Sequence, residues 1–427
     1  MKKRVVITGM GVVAPNGIGL ADFEQAIRHG KSGVRYLPEL EKLHFACRIG
    51  GVPPIDGVDL TRYFTELQMR QIKASGIIYG CVAGLDAWRD AGLELPANPD
   101  AEPDWDSGCI FGAGLAGIDV IREGIYKTDE GNVKRLGSTL IEQTMSSGIS
   151  AHLGGMLGLG NMVSTNSSAC STGTEAILLG AHRIRSGLAT RMIVGGCDAS
   201  GPYVWGGFDS MRVLNRRSNE HPEKGSCPMS VDAAGFVPGS GAGALVLEDL
   251  DAALQRGARI YAEVTGGHLN AGGQQQGGTM TAPNAHAVQR CIAQALKDAD
   301  VNPTEVDAIN GHLTSTMGDT MEVKNWSAAL NRSGDDFPYI NALKSMTGHC
   351  LSAAGAIESV AVALQLYRGF LHPTINLSEP HPDILACVAP KRLVREANQH
   401  IQVEVIAKSS FGFGDVNACV IFRRFHP

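Results

Sequence analysis

The chain has 427 residues, 44% of them hydrophobic and 19% charged, with 53 glycines and a formal net charge of −6. That length supports two or three domain-sized units, and the composition fits a compact α/β protein with many tight turns. A negative balance argues against generic nucleic-acid binding, so an acidic partner would need a local basic patch. No apolar run approaches the ~20 residues of a membrane span. The short run Val5-Val6-Ile7 behind Met1-Lys2-Lys3-Arg4 is too brief for a signal-peptide core. Ten cysteines without CxxC or paired spacing read as reduced thiols of a cytoplasmic protein.

Residues 4–9 read as a buried strand that runs into Gly9-Met10-Gly11-Val12-Val13-Ala14, the G-x-G-x-x-A form of a dinucleotide fingerprint. Pro15 and Asn16 interrupt it, and no strand ending in an acid follows at the expected distance. The run therefore reads as a glycine-rich turn beneath an active site. A helix starts near Leu20, and residues 67–91 form one long amphipathic segment. An acidic, Pro-rich connector spans 96–106 and leads to a strand at 109–112.

The stretch Thr165-Asn166-Ser167-Ser168-Ala169-Cys170-Ser171-Thr172-Gly173 precedes the apolar run 176–181. A tight turn there delivers Cys170 to the first turn of a buried helix. Free backbone N–H groups and the helix dipole favour a thiolate and can hold an oxyanion. Such a thiol is a covalent nucleophile if histidines reach it, and otherwise a small hydrophobe. Strands at 192–197 and 244–248 close this half.

The second half reruns the programme with a strand at 259–266, an amphipathic helix at 285–299 and a strand at 306–310. The segment 344–366 mirrors the Cys170 helix, and strands follow at 403–407 and 418–422. A repeated element order implies a duplicated α/β core, divided as 1–256 and 257–427, with its site between the halves. His312 follows a strand's carboxyl end, where open α/β sheets bind ligands. His349 stands at the start of the mirrored helix, which biases it towards its neutral form. Lys344 beside that apolar helix requires a carboxylate, and Glu322 is the candidate.

Five motifs then occur together: Arg4-Val5-Val6-Ile7-Thr8-Gly9-Met10-Gly11, Ser168-Ala169-Cys170-Ser171-Thr172-Gly173, Asn310 with His312 and Thr314-Ser315-Thr316, Lys344-Ser345-Met346-Thr347-Gly348-His349 with Ala353-Ala354-Gly355, and Ser410-Phe411-Gly412-Phe413-Gly414 with Asn417. In these the chain resembles the β-ketoacyl-acyl-carrier-protein synthases, condensing enzymes of the thiolase fold, along almost its whole length. The resemblance implies a duplicated five-layered αβαβα core and a Cys170–His312–His349 site. Cys170 would take an acyl group from a phosphopantetheine thioester, with the N–H groups of Cys170 and Phe413 as oxyanion hole. His312 and His349 would promote decarboxylation of malonyl-carrier protein and hold the enolate.

The resemblance also pairs Lys344 with Glu322 and gives Thr314 and Thr316 to the pantetheine arm. It makes Phe413 a gate, Phe411 a pocket residue and Leu115 a liner of the acyl pocket. Arg70 and Lys73 fall at the carrier-protein contact. It implies no metal, no resident cofactor, and a dimer mate that is either identical or a cysteine-less chain-length homologue. A thiolase acting on coenzyme A is disfavoured by the two-histidine pattern, and a non-catalytic partner subunit by the presence of Cys170. Departures at Gly311 and Leu313, in 228–236, at Ser240 and at Asp415-Val416 point to a specialised polyene or aromatic polyketide pathway as the alternative to fatty-acid extension.

Overall fold

Strand β1 (Val5–Ala14) is buried at every position in the computed structural model, which describes residues 3–98, 100–396 and 401–426. β-branched and small residues dominate it, as a strand covered on both faces requires. The first half adds β2 (Ser107–Ala113), β3 (Val163–Ser164), β4 (Arg191–Asp198) and β5 (Gly241–Asp249). The second contributes β6 (Ala262–Ala271), β7 (Ala308–Asn310), β8 (Tyr339–Asn341), β9 (Val405–Gly412) and β10 (Val416–Arg423). Their order across the sheet is β3-β2-β4-β5-β1, continuing β6-β10-β9-β7-β8. Counted from its own outer edge, each half reads third, second, fourth, fifth, first.

The pairing senses repeat too. In each half the outer three strands are parallel and the last two pairings antiparallel. The halves meet where Val6 and Ile7 of β1 pair with Glu263 and Ala262 of β6. The duplication is therefore topological, although little sequence is shared between the halves.

Each half also carries three principal helices, α1 (Ser75–Asp90), α2 (Gly148–Leu157) and α3 (Thr172–Arg185), then α4 (Ala285–Ala299), α5 (Gly318–Leu330) and α6 (Ala354–Arg368). Side chains alternate between strand faces, so each strand feeds two layers. Cys109, Phe111, Ile193 and Val246 pack under α1 and α2. Their neighbours Ile110, Met192, Val194 and Leu247 turn to the central helices α3 and α6. Ile406, Val420 and Phe422 reach those same helices from the other half. Ile309, Val405, Ala407 and Ile421 face outward to α4 and α5. The result is the five-layered, thiolase-like α/β fold. Among the described residues no helix is long and apolar enough to cross a membrane.

Three sequence expectations change. The segment 67–91 is two helices, because the short helix Glu66–Gln71 ends before α1 starts. Gln143 Oε1 accepts the N–H groups of Lys73 and Ala74 at 2.6 and 3.0 Å, which fixes the break. The run Gly9 to Ala14 is strand rather than turn. Cβ atoms on Gly9 and Gly11 would lie 2.2 and 2.0 Å from the carbonyl oxygens of Ala87 and Ala83, so these glycines let α1 rest directly on β1. The dinucleotide reading is thereby excluded. Finally, α6 begins at Ala354, which leaves His349 outside the helix.

Gly11→Ala is expected to push α1 off the sheet and to lower stability by about 1–3 kcal/mol, the usual cost of overpacking. Urea denaturation measures it, and wild-type stability would contradict the close approach.

Candidate active site

Cys170 sits two residues before α3, whose N-cap is Ser171, rather than within its first turn. The preceding Ala169 takes φ of 49°, a left-handed value that an L side chain rarely adopts, and this turns the thiol out of the chain path. The strained turn is held on all sides. Thr172 Oγ1 donates to Ala169 O at 2.6 Å and accepts from Ser168 N–H at 2.8 Å. Ser171 Oγ donates to Ser410 O on β9 at 3.1 Å. Gly412, at the end of β9, brings its backbone against this turn, since a Cβ there would lie 3.0 Å from Ser168 O and 3.1 Å from Cys170 N. That approach aims the Phe413 N–H at the Cys170 sulfur.

The histidines come from the other half through strand register. Asn310 of β7 pairs in parallel with Asn341 of β8 and with Lys408 of β9, so two adjacent strands end at the level at which Lys408 stands on the third. His312 follows β7 by two residues, Lys344 follows β8 by three, and Lys408 lies within β9 itself. His349 Nε2 lies 3.1 Å from Cys170 Sγ, and the two imidazole rings stand 5.2 Å apart, edge to face. Phe236 packs edge-on to His349 and Phe411 to His312. Both rings keep an unpartnered, buried Nδ1.

The electrostatics favour neutral imidazoles. Burial, then the Lys344 ammonium, hold His312 and His349 well below the ordinary histidine range, and Lys408 adds to the effect on both. The helix dipole invoked for His349 is not the cause, because His349 precedes α6 by five residues. Desolvation pushes the Cys170 thiol up to about 11, against Lys344 and the Phe413 N–H, which pull it down. The resting pair is thus a thiol beside a neutral ring that can take its proton. Cys170, His312 and His349 offer three ligand-type atoms within 4.8 Å of one another. Two ammonium groups behind them oppose a divalent cation, so the arrangement suits proton and acyl transfer better than metal binding.

The Lys344–Glu322 pairing is corrected. Lys344 Nζ pairs with Glu358 of α6, and Lys408 Nζ lies 2.9 Å from the other oxygen of the same carboxylate. All three side chains are at most 2% exposed. Glu322 serves the loop instead: it accepts the N–H groups of His312 and Leu313 at 2.7 and 2.8 Å and the Ser409 hydroxyl at 3.0 Å. Burial raises its carboxyl to about 7 despite these donors. Neither Glu358 nor Lys408 was singled out from the sequence. Each is a lone charge in an apolar element, a signal that was present and unused.

The remaining candidates divide. Thr314 and Thr316 share a 2.9 Å hydroxyl contact, and Asp319 holds their loop by accepting the N–H groups of Thr314 and Ser315. Phe413 is partly exposed and packs edge-on to Phe208, which the sequence reading did not single out. Leu115 is 50% exposed beyond the end of β2 and lies on the surface of the single chain. Arg70 pairs loosely with Glu66 at 3.6 Å, and Lys73 is exposed next to it.

A thiol within reach of two neutral imidazoles on a thiolase-like scaffold is the arrangement of a condensing enzyme of the acyltransferase type. The sequence profile of the β-ketoacyl synthase N-terminal domain matches residues 2–253, and that of the C-terminal domain matches 261–378. The chain belongs to the β-ketoacyl synthase family. It is 32% identical to 3-oxoacyl-[acyl-carrier-protein] synthase 2 of Vibrio harveyi, over 99% of both chains. It is 36% identical to the chloroplastic 3-oxoacyl-[acyl-carrier-protein] synthase I of Arabidopsis thaliana, over 100% of this chain and 88% of that one. A type II polyketide ketosynthase solved in complex with its acyl-carrier protein superposes with a TM-score of 0.87 at 30% identity, covering 100% of both chains.

Glu358→Gln leaves two buried ammonium groups without a carboxylate and is expected to cost roughly 3–5 kcal/mol. Chemical denaturation reads the loss, and a variant within about 1 kcal/mol of wild type would contradict the shared ion pair.

Proposed function

We propose that this chain condenses malonyl-carrier protein with an acyl group held on Cys170, as a 3-oxoacyl-[acyl-carrier-protein] synthase. The 3.1 Å approach of His349 Nε2 to Cys170 Sγ, with His312 facing the same space, carries the reading. In the first half-reaction the thiol passes its proton to His349 and attacks the thioester carbonyl of the acyl-carrier protein. The N–H groups of Cys170 and Phe413 hold the oxyanion, and the carrier's thiolate departs with the proton returned from His349. In the second half-reaction malonyl-carrier protein loses CO₂, and N–H bonds from His312 and His349 hold the enolate oxygen. The carbanion then attacks the acyl-Cys170 carbonyl, and the thiolate leaves and recovers a proton.

Neutral rings suit this step because a strong acid would protonate the carbanion. Burial and the lysines supply that neutrality. Glu322 positions His312 through its backbone, and Lys344 acts with Glu358 rather than with Glu322. Thr314 and Thr316 would bind the pantetheine arm, Phe413 would gate the pocket with Phe411 behind it, and Arg70 and Lys73 would meet the carrier protein. The reading requires no resident cofactor or metal. A dimer mate, identical or a chain-length homologue, would cover the exposed Leu115 and turn it into a pocket liner. The ten free thiols fit the reducing cytoplasm. A second reading, ketosynthase of a specialised polyketide or aryl polyene system, is favoured by the similarity to the type II polyketide enzyme.

Cys170→Ala is expected to abolish acyl transfer from acyl-carrier protein, read as the loss of an acyl mass on the intact enzyme. Continued acylation would overturn the nucleophile assignment. His312→Ala and His349→Ala should each slow malonyl decarboxylation by about 10²-fold or more. Because the neutral ring is the active form and its titration lies well below 6.5, decarboxylation should persist as pH falls through 6.5. A rate that halves near pH 6.5 would show ordinary, solvated histidines.

A further inference from the structure

The reaction steps above give Lys408 no contact with the reacting groups. Lys408 is fully buried on β9, in register with Asn310 two residues before His312. Its ammonium has three N–H groups and three oxygens within reach. It donates to Ser409 O at 2.7 Å and to Ser410 Oγ, and it lies 2.9 Å from Glu358 Oε2. Only the charged form supplies three donors. Ser410 Oγ in turn meets Thr174 Oγ1 at 2.8 Å, in the first turn of the helix that follows Cys170. Ser409 Oγ reaches Glu322, which holds the His312 backbone. Lys408 therefore touches the supports of both the thiol and a histidine, without touching either one.

One carboxylate between two ammonium groups leaves a second positive charge in a water-poor interior, where burial lowers Lys408 from the ordinary lysine range and the Glu358 carboxylate opposes that shift. We propose that Lys408 is a positioning residue of this site, whose charge, added to that of the Lys344–Glu358 pair, favours the Cys170 thiolate and the neutral forms of His312 and His349. Two acids facing the cluster, Asp319 and Glu322, ionise near neutrality and stay charged through the alkaline range in which the thiol is read, so they form a constant background there. Asp198 and Asp319 are buried acids pushed up by desolvation, Asp319 to about 6. His372 is held down to about 4 and is neutral. Cys350 and Cys419 are thiols pushed far up by burial. Burial raises Glu322 to about 7, and its charge bears on Lys408, so the thiol is read above that range.

This inference deepens the condensing reading, yet its test does not depend on that reaction. The rate of iodoacetamide alkylation of Cys170 in the full-length enzyme is measured at fixed pH values between about 8 and 9, below the titration of the thiol near 11, by peptide mass. Removing a nearby positive charge makes the thiolate harder to form, so Lys408→Met should slow alkylation by about tenfold at each pH. Lys408→Arg, which keeps the charge, should bring the rate back towards wild type. If Lys408→Met does not fold, Lys408→Gln retains a donor towards Ser409 O and Ser410 without the charge and should show the same slowing. An unchanged rate in a folded, uncharged variant overturns the proposal. So does an arginine variant that matches the uncharged ones, or the failure of both uncharged variants to fold, since each outcome describes a purely structural lysine.

Discussion

Glu358 is the constraint around which the site is built. A carboxylate in the central layer of a five-layered protein is tolerable only when fully paired, and here it is shared by Lys344 and Lys408. The three groups come from α6, from the segment after β8 and from β9, so their pairing ties those elements to one another. The same pairing leaves the neighbouring imidazoles beside positive charge in a dry environment, where protonation is costly. Structural integrity and the protonation state of the site thus have a common origin.

Topology explains why the reactive groups converge. Each half repeats one strand order, and in the second half β7 and β8 end at Asn310 and Asn341, level with Lys408 on β9. Loops leaving that edge carry His312 and Lys344 to the same side as the start of α3, where the first half presents Cys170. Neither half holds a complete site, because the thiol belongs to one and both histidines to the other. The close approach at Gly412 then brings the Phe413 N–H to the sulfur. The division of labour between the halves follows from that geometry.

Much of this was legible before any fold was known. Apolar strands, the amphipathic helix at 285–299 and the motif residues Cys170, His312 and His349 stand out because local pattern and chemistry mark them. The break between the helix Glu66–Gln71 and α1 was not legible, because Gln143, far along the chain, creates it. Gly9 and Gly11 imitated a phosphate-binding turn, and only the position of α1 shows that they serve close packing. Lys344 plainly required a carboxylate, yet Glu322 and Glu358 were equally available in the linear chain.

The sequence by itself determined the composition of each layer, the duplicated order of elements and the reactive residue types. Those features are written in short-range periodicity and in side-chain chemistry. Tertiary structure alone decided which charge meets which, that His349 lies ahead of its helix, and that a second lysine shares Glu358. Such pairings join positions brought together by strand register and helix crossing. No local signal encodes them, because the free energy that selects among partners is the cost of leaving a buried charge alone.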